Sequence, residues 1–478
     1  MKVMLIHPPV REDDTPNSVP IGLGWITAVL ENEGHKVDIL DINAWRYKKD
    51  QVVDILRQKG KEYDIFGISG MITVYNYTKW LQNTIKQMYP DKLVVDGGAG
   101  PTSIPQIYLK NGADVVAIGE GELTMLDLAE TVQNKGDLGN VEGIVWKNDG
   151  AMITNAPREA IQNLDELPIP GWEKFPIEEI YLGNNILRKY NYQRSLNMLA
   201  SRGCPFRCNF CHDGFGERTR WFTADYMIDH IKYLIDRYKI QYLRFDDETF
   251  VGNRKRTIEF CQRMIDENLG IQWGCTGRVN VMNEELLNMM KEAGCIDINY
   301  GIESGSQKML NSMQKDATAE QADKSLMLTR KVGITPIISL MVGAPGENRD
   351  TIQEQVEFCK RNNFRVDHMF ICTPTPRTGL YTMLMQQGRI KDEEKFVDEM
   401  STRGDFWANI LVNMSDLSDE DLIKYRNAAE VQIHRNWIMQ NMDKMPALML
   451  DRLRVLGPKK FANLVWYATK KMFVTTME

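Results

Sequence analysis

Residues 201–212 read Ser-Arg-Gly-Cys-Pro-Phe-Arg-Cys-Asn-Phe-Cys-His. This stretch places Cys204, Cys208 and Cys211 at a C-x3-C-x2-C spacing, with Phe210 directly before the last cysteine. Three thiolates so close in the chain can surround one soft metal centre. The spacing therefore predicts a metal centre, and the rest of the chain can be interpreted around it.

The number of nearby cysteines indicates which kind of metal centre they can form. A zinc site or a fully ligated iron–sulfur cluster takes a fourth protein ligand, and the next cysteine is the distant Cys261. Three ligands favour a 4Fe–4S cluster with one iron open to a substrate or cofactor. Two alternatives remain: three cysteines buried in a core, or a zinc site completed by His212.

The cysteine stretch resembles the signature of the radical S-adenosylmethionine (SAM) enzymes. In that family the open iron binds the amino and carboxylate groups of SAM. The resemblance implies that Cys204, Cys208 and Cys211 ligate the cluster and that Phe210 lies at the cofactor.

Length and composition set the broad class. With 478 residues the chain can form two or three domains, and 43% hydrophobic residues provide for a packed core. A net charge of −7 argues against nucleic-acid binding, which normally needs a basic surface. No apolar run reaches the length of a membrane span, and the scattered cysteines do not suggest disulfides. We expect a cytoplasmic protein, and an oxygen-labile cluster would suit an anaerobe.

Residues 1–140 alternate short apolar runs with amphipathic stretches, which predicts an α/β domain with a Rossmann-like doubly wound parallel sheet. The predicted strands are Val3–Ile6, Val37–Ile42, Ile65–Ser69, Leu93–Asp96 and Val115–Ile118. The predicted helices are Gly22–Gly34, Asp50–Lys59, Tyr75–Tyr89, Ser103–Asn111 and Glu122–Asn134. Ligands of such sheets lie beyond the carboxyl ends of the strands, where this chain is rich in glycine. Glycine is also common in such turns whatever they bind.

This first domain resembles the cobalamin-binding domain that precedes some radical SAM domains. No G-x-G-x-x-G opens its first helix, which disfavours a dinucleotide. The D-x-H-x-x-G motif of other cobalamin proteins is also missing, so the resemblance implies cobalamin without a histidine ligand to cobalt. The implied cofactor contacts are Pro9, Gly67, Ser69, Thr73, Gly97, Gly98, Pro101, Gly119, Glu120 and Gly121.

Residues 141–194 are predicted to connect two domains. A hairpin over 143–154 has its turn at Asn148-Asp149-Gly150. An extended linker follows at Leu164–Trp172, where two prolines disfavour regular structure. Trp172 and Tyr181 are interpreted as packing anchors rather than site residues.

Residues 195–385 again alternate strand and helix, which predicts a partial (βα)6 TIM-type barrel with its site at the carboxyl ends of the strands. The radical SAM resemblance assigns the residues there to SAM: Asp246 and Asp247 to its ammonium group, Arg278 to its carboxylate or a phosphate, Glu303 and Ser304 to the ribose, and Pro345 and Gly346 to the adenine. Asp247 and Arg278 are the predicted catalytic residues. The alternative for each is a solvated turn, and for Arg278 a structural ion pair.

Residues 386–478 are predicted to be helical, and the resemblance implies that they cap the substrate and determine specificity. Ser418 is a good N-cap, followed by an acidic first turn. Near the end, aromatic residues such as Phe461 and Trp466 interleave with lysines. This basic face is either solvated or makes peripheral contact with a membrane.

The two resemblances together imply a cobalamin-dependent radical SAM methyltransferase. The reduced cluster would cleave SAM to methionine and a 5′-deoxyadenosyl radical, which removes a hydrogen atom from an unactivated carbon. The substrate radical would then take the methyl group of methylcobalamin. A reductant such as flavodoxin or ferredoxin is implied. An oxidative cyclase with the same cofactors, or a non-catalytic cobalamin or redox sensor, are the alternatives. The substrate class is open: small molecule, lipid or peptide.

Overall fold

The computed structural model describes residues 1–10, 16, 18–182, 194–212, 214–216, 218–366, 368–403, 408–446, 449–450, 453 and 457–458. The chain forms two compact units. The first comprises Met1–Pro205, Cys211–Gly274 and Pro374–Phe406, and the second comprises Phe206–Phe210, Cys275–Thr373 and Trp407–Glu478.

The N-terminal sheet has seven strands in the order β2-β1-β3-β4-β5-β6-β7. The strands are β1 (Lys2–His7), β2 (Lys36–Asp41), β3 (Ile65–Ser69), β4 (Leu93–Gly97), β5 (Val115–Ala117), β6 (Ile144–Asn148) and β7 (Ala151–Thr154). The first five are parallel, as predicted. The predicted hairpin, β6–β7, is present and extends the sheet antiparallel to β5. Because β1 pairs with both β2 and β3, the order reverses there, which is where a doubly wound sheet binds its ligand.

Seven helices accompany this sheet in the described part of its chain: α1 (Ile21–Asn32), α2 (Ile42–Trp45), α3 (Lys49–Lys59), α4 (Tyr75–Met88), α5 (Ala99–Ser103), α6 (Pro105–Lys110) and α7 (Glu122–Gln133). The prediction of one helix over Ser103–Asn111 was wrong. The chain instead forms α5 and α6 with a break at Ile104, and Pro105 stands at the first turn of α6. Proline disfavours the helical conformation in the residue before it, which accounts for the break.

A second sheet has six strands in the order β15-β14-β13-β12-β11-β8. Numbered with the short pair β9–β10, these strands are β8 (Ser195–Met198), β9 (Ser201–Arg202), β10 (Arg220–Trp221), β11 (Tyr242–Phe245), β12 (Gln272–Gly277), β13 (Cys295–Glu303), β14 (Thr335–Val342) and β15 (Phe370–Ile371). The strands of this sheet alternate with helices, so the partial (βα)6 fold is confirmed.

The remaining helices are α8 (Ala224–Tyr238), α9 (Arg254–Glu267), α10 (Glu284–Glu292), α11 (Gln307–Ser312), α12 (Ala319–Lys331), α13 (Arg349–Arg361), α14 (Gly379–Gln386), α15 (Glu393–Thr402) and α16 (Asp419–Gln440). α16 begins after Ser418, whose Oγ accepts from the Asp421 amide at 3.1 Å, as the sequence predicted. The aromatic and basic residues of the predicted membrane-contact face, 459–473, lie outside the described residues. In the described part of the chain, none of the helices combines the length and the apolar character needed to span a bilayer.

The connecting segment is fixed by its two large aromatic residues. Trp172 and Tyr181 are both buried. The Trp172 Nε1–H donates to His230 Nε2 on α8 at 2.8 Å, and the Tyr181 hydroxyl donates to Asp41 at the end of β2 at 2.6 Å. Their prediction as packing anchors is confirmed.

Candidate active site

A cleft lies in the first unit at the carboxyl ends of β1, β3, β4 and β5, where the strand order reverses. It encloses about 810 Å³ with its open mouth included. Seven predicted cofactor residues line it: Gly67, Ser69, Gly97, Gly98, Gly119, Glu120 and Gly121. Three others, Pro9, Thr73 and Pro101, do not.

Two glycines with positive φ form the edge of this cleft. Gly119 has φ +79°, and a Cβ there would meet no atom within 4 Å. Its position therefore opens onto free space that a ligand can fill. Gly98 has φ +90°, but a Cβ there would lie 3.1 Å from the Gly70 carbonyl oxygen. Glycine is therefore required at position 98 by the close packing of its loop against Gly70, whatever the cleft binds. A cleft with a backbone edge of this kind fits a large, flat ligand.

Three charged side chains, Glu120, Glu122 and Arg202, line the cleft, and Arg220 binds one of them; each of the four is less than a tenth exposed. Arg202 donates to Glu120 at 3.0 Å and to Glu122 at 2.6 Å. Arg220 holds the same Glu120 carboxylate at 2.9 and 3.0 Å. Two arginines and two carboxylates give a cluster with no net charge, which we call the ion cluster.

The surroundings of Glu120 and Arg202 favour their charged forms. Burial acts to raise the pKa of Glu120, but the Arg220 hydrogen bond and the Arg202 charge outweigh it, so this pKa lies below its usual value. Burial likewise acts against the charge of Arg202, and Glu122 and Glu120 reverse that effect and raise its pKa. The ring centroids of Trp25 and Phe215 lie 4.8 and 5.4 Å from the Arg202 guanidinium. Such contacts between a cation and aromatic rings are favourable in a buried setting.

Sequence reasoning found Glu120 but missed the other three members of the ion cluster. Arg202 could have been identified as a site residue, because it lies two residues before Cys204 in the cysteine stretch. Nothing in the sequence indicated a role for Arg220 or Glu122, since their partners are distant in sequence.

The cysteine loop begins and ends on a small strand pair. β9 and β10 are antiparallel, with Arg202 opposite Arg220 and Ser201 opposite Trp221. Gly203 has φ +87°, and a Cβ there would lie 2.6 and 2.7 Å from the carbonyl oxygens of Arg218 and Gly216. Only glycine fits at this position, directly before Cys204.

The cysteines divide clearly by exposure. Cys204 and Cys208 are half-buried and Cys211 is exposed, whereas the other five are buried. Burial raises the pKa of the Cys359 and Cys372 thiols to about 12, which keeps them protonated and inert. The alternative of three core cysteines at 204, 208 and 211 is therefore excluded.

The ligand role of the cysteine triplet rests on its spacing and accessibility. Among the described residues, no three His, Cys, Asp or Glu side chains converge closely enough to hold a metal ion. His212, the fourth ligand of the zinc alternative, forms a 2.7 Å hydrogen bond with Ser103 Oγ on α5. Three accessible thiols in one short loop fit a three-cysteine cluster.

Asp247 and Asp246 follow β11 as predicted. Asp247 is buried and accepts from the Ala200 amide at 3.0 Å and from the Ser201 hydroxyl. Burial is the main cause that raises its pKa, to about 6. Asp246 pairs with Arg244 at 2.7 Å. The structure thus gives Asp247 a role in holding the residues that lead into the cysteine loop.

In the second unit, Arg278 is buried and held by neutral groups. Its Nη2 donates to the carbonyl oxygens of Lys315 and Asp316, and its Nη1 lies 3.7 Å from Cys208 Sγ. Its guanidinium carbon lies 3.4 Å from the centroid of the Phe206 ring. Within the described part of the chain it pairs with no carboxylate, so the structural ion pair proposed as an alternative is not formed.

The other predicted SAM residues of the second unit also have partners. Glu303 adopts φ +65° and pairs with Lys315 at 2.8 Å. The Lys315 ammonium lies 5.7 Å from the centroid of the Phe210 ring. Ser304 is buried, and its Oγ accepts from the Ser306 amide at 3.1 Å. The carbonyl oxygens of Pro345 and Gly346 accept from Ser312 and Lys308.

Comparisons with known proteins give family models that match two separate parts of the chain. A family model described as the B12 binding domain matches residues 15–129, and one described as the Radical SAM superfamily matches residues 198–359. An uncharacterised methyltransferase from Pyrococcus horikoshii is 30% identical over 80% of this chain and 82% of its own. The anaerobic magnesium-protoporphyrin IX monomethyl ester cyclase of Rubrivivax gelatinosus is 28% identical over 83% of this chain and 72% of its own.

Solved structures share the fold. The radical SAM methyltransferase TsrM from Kitasatospora setae, solved with tryptophan substrate and a SAM analog, gives a TM-score of 0.68 at 19% identity. The match covers 81% of this chain and 76% of that one. The same protein has been solved with cobalamin and a [4Fe–4S] cluster bound.

Proposed function

Because this chain belongs to the cobalamin-dependent radical SAM enzymes, we propose that it is a C-methyltransferase acting on an unactivated carbon of a small molecule. The observation that carries the proposal is the 30% identity to a methyltransferase over four-fifths of both chains. The small-molecule class is supported by tryptophan, the substrate bound in the TsrM structure.

The residues of the chain divide between the cofactors as follows. The cleft edged by Gly119 would hold cobalamin, and Cys204, Cys208 and Cys211 would hold the 4Fe–4S cluster, with SAM beside Arg278 and Glu303. When bound, these groups supply a methyl donor and a 5′-deoxyadenosyl radical. We assign residues 1–140 to cobalamin, 141–194 to a linker, 195–385 to SAM and 386–478 to a substrate cap.

The task of the protein is to place charge and exclude water around these groups. The Arg278 guanidinium is buried and lacks a carboxylate in the described residues, so it can receive the SAM carboxylate. Charge-assisted hydrogen bonds of this kind are shorter and stronger than neutral ones. The buried ion cluster forms part of the cobalamin cleft without adding net charge to it.

The products formed from SAM test methyl transfer without knowledge of the final product. The reconstituted enzyme is incubated anaerobically with reductant, SAM and a small-molecule extract of its host. A methyltransferase uses one SAM as radical source and one as methyl source. It should therefore form 5′-deoxyadenosine and S-adenosylhomocysteine in equal amounts, with a trideuteriomethyl product from labelled SAM. 5′-Deoxyadenosine without S-adenosylhomocysteine would contradict the proposal.

The second candidate is an oxidative cyclase with the same cofactors and no methyl transfer. It is favoured by the 28% identity to the anaerobic cyclase of R. gelatinosus. The same experiment separates the two, because a cyclase would release 5′-deoxyadenosine alone. We further propose a cytoplasmic location and a flavodoxin- or ferredoxin-type reductant. Peripheral membrane contact concerns residues outside the described part of the chain.

A further inference from the structure

One carboxylate holds both ends of the cysteine loop. Arg202 precedes the loop on β9 and Arg220 follows it on β10, opposite each other in register. Both guanidinium groups bind Glu120, on the glycine-rich loop that edges the cleft. The Ile161 amide also donates to Glu120 at 2.8 Å, and Arg220 donates to the Ile161 carbonyl at 2.6 Å. Both ends of the cysteine loop are therefore held by the glycine-rich loop that edges the cleft, where cobalamin would bind.

One of the three guanidinium nitrogens of Arg202 has no hydrogen-bond partner in the described part of the chain. Its two terminal nitrogens bind Glu120 and Glu122, and the remaining nitrogen is Nε. The side chain is 2% exposed and lines the cleft. A buried N–H without an acceptor is unfavourable and rare in native proteins. The molecule that binds in the cleft can supply the hydrogen-bond acceptor that the Arg202 Nε–H lacks. The rim of a corrin ring carries amide side chains, whose carbonyl oxygens are suitable.

We infer that Arg202 is a positioning residue that couples filling of the cleft to ordering of the cysteine loop. Its Nε donates to an amide carbonyl of bound cobalamin, while its other two nitrogens keep the base of the loop on Glu120 and Glu122. This inference rests on the proposed function in one respect, that the cleft takes cobalamin. Lysine cannot replace arginine here, because one ammonium group cannot span three acceptors in a fixed plane.

Hydrogen–deuterium exchange of the full-length protein, with and without hydroxocobalamin, tests the coupling. In the parent protein, hydroxocobalamin should slow exchange in residues 199–205 and 219–222 as well as in the cleft strands. Protection confined to the cleft strands would overturn the inference while leaving cobalamin binding intact. This measurement needs no variant, so it stands even where a substitution prevents folding.

Arg202→Lys provides the second arm, read out by spectroscopic titration with hydroxocobalamin. Loss of a charge-assisted hydrogen bond should weaken binding roughly tenfold to a hundredfold and abolish protection at 199–205. Arg218→Lys, an exposed arginine of the same loop, should change neither quantity. Unchanged affinity and protection in Arg202→Lys would overturn the inference. A parent protein that does not bind hydroxocobalamin would overturn both the cobalamin proposal and this coupling.

Discussion

Two sites of buried charge, the ion cluster in the first unit and Arg278 in the second, differ in how the charge is compensated. In the first unit, Arg202 and Arg220 meet Glu120 and Glu122, and the charges cancel. In the second, Arg278 is held by backbone carbonyl oxygens and the Phe206 ring, and the buried Glu347 accepts from Thr351 and the Gly343 amide. The pKa of Glu120 is lowered and that of Glu347 is raised to about 7, with burial the first cause of the latter.

The difference separates scaffold from ligand site. A buried charge that is already neutralised stabilises the fold, and removing one partner leaves the other uncompensated. A buried cation such as Arg278, held only by neutral groups in the described residues, is ready for an anion from outside. Three variants test this distinction, in order of expected effect on stability.

The largest effect is expected for Arg202→Gln in the protein without cofactors. The substitution leaves the buried Glu120 and Glu122 short of positive charge, so we expect a loss of about 3–5 kcal/mol in the free energy of unfolding. Urea denaturation followed by tryptophan fluorescence measures it. Arg57→Gln, which removes an exposed pair with Asp54, is the control and should cost less than about 1 kcal/mol. Equal effects of the two substitutions would contradict the scaffold role.

The next largest effect is the pH dependence that Glu347 gives to the stability of the protein. Because its carboxyl is buried with a pKa near 7, the folded state holds the proton more tightly than the unfolded state, whose pKa is near 4.5. Stability should fall as pH rises from about 4.5 to 7, by up to about 3 kcal/mol, and level off above 7. Glu347→Gln should lack this slope. Melting temperatures across this range measure it, with Glu357→Gln, an exposed position on α13, as control. Parallel curves for parent and Glu347→Gln would refute the assignment.

The smallest effect on stability is expected for Arg278→Gln. Its partners are neutral groups, so we expect a loss of about 1 kcal/mol. SAM binding should weaken far more, roughly tenfold to a hundredfold, since the charge that meets the SAM carboxylate is gone. Equilibrium dialysis with SAM on the reconstituted protein measures this, and Arg278→Lys should restore part of the affinity. Destabilisation as large as that of Arg202→Gln would place Arg278 with the scaffold.

The sequence was sufficient for the features that depend on local pattern. The strands of both sheets follow from apolar runs such as Val3–Ile6, and the Ser418 cap follows from residue type. Pro105 carried a local signal for the break at Ile104 that the prediction of one long helix overlooked.

Features that depend on distant partners could not be predicted in this way. The hairpin β6–β7 was recognised, but its pairing to β5 was not, because nothing local specifies the neighbouring strand. The same holds for the ion cluster, where Glu122 gave no sign of its partner Arg202. For Arg278, the sequence predicted the SAM role and left an ion pair as the alternative. Its neutral surroundings could not be predicted, because Lys315 and Asp316 are distant in sequence.

The distance in sequence between the members of the ion cluster determines the order in which they are made. Glu120 leaves the ribosome 82 residues before Arg202 and 100 residues before Arg220. At ordinary rates of translation the carboxylate waits roughly 5–20 s for its second arginine. Until then Glu120 and Glu122 must stay hydrated, because their partners Arg202 and Arg220 have not yet been made. During synthesis the cleft is therefore open on this side, and its ligand can enter before the cysteine loop exists.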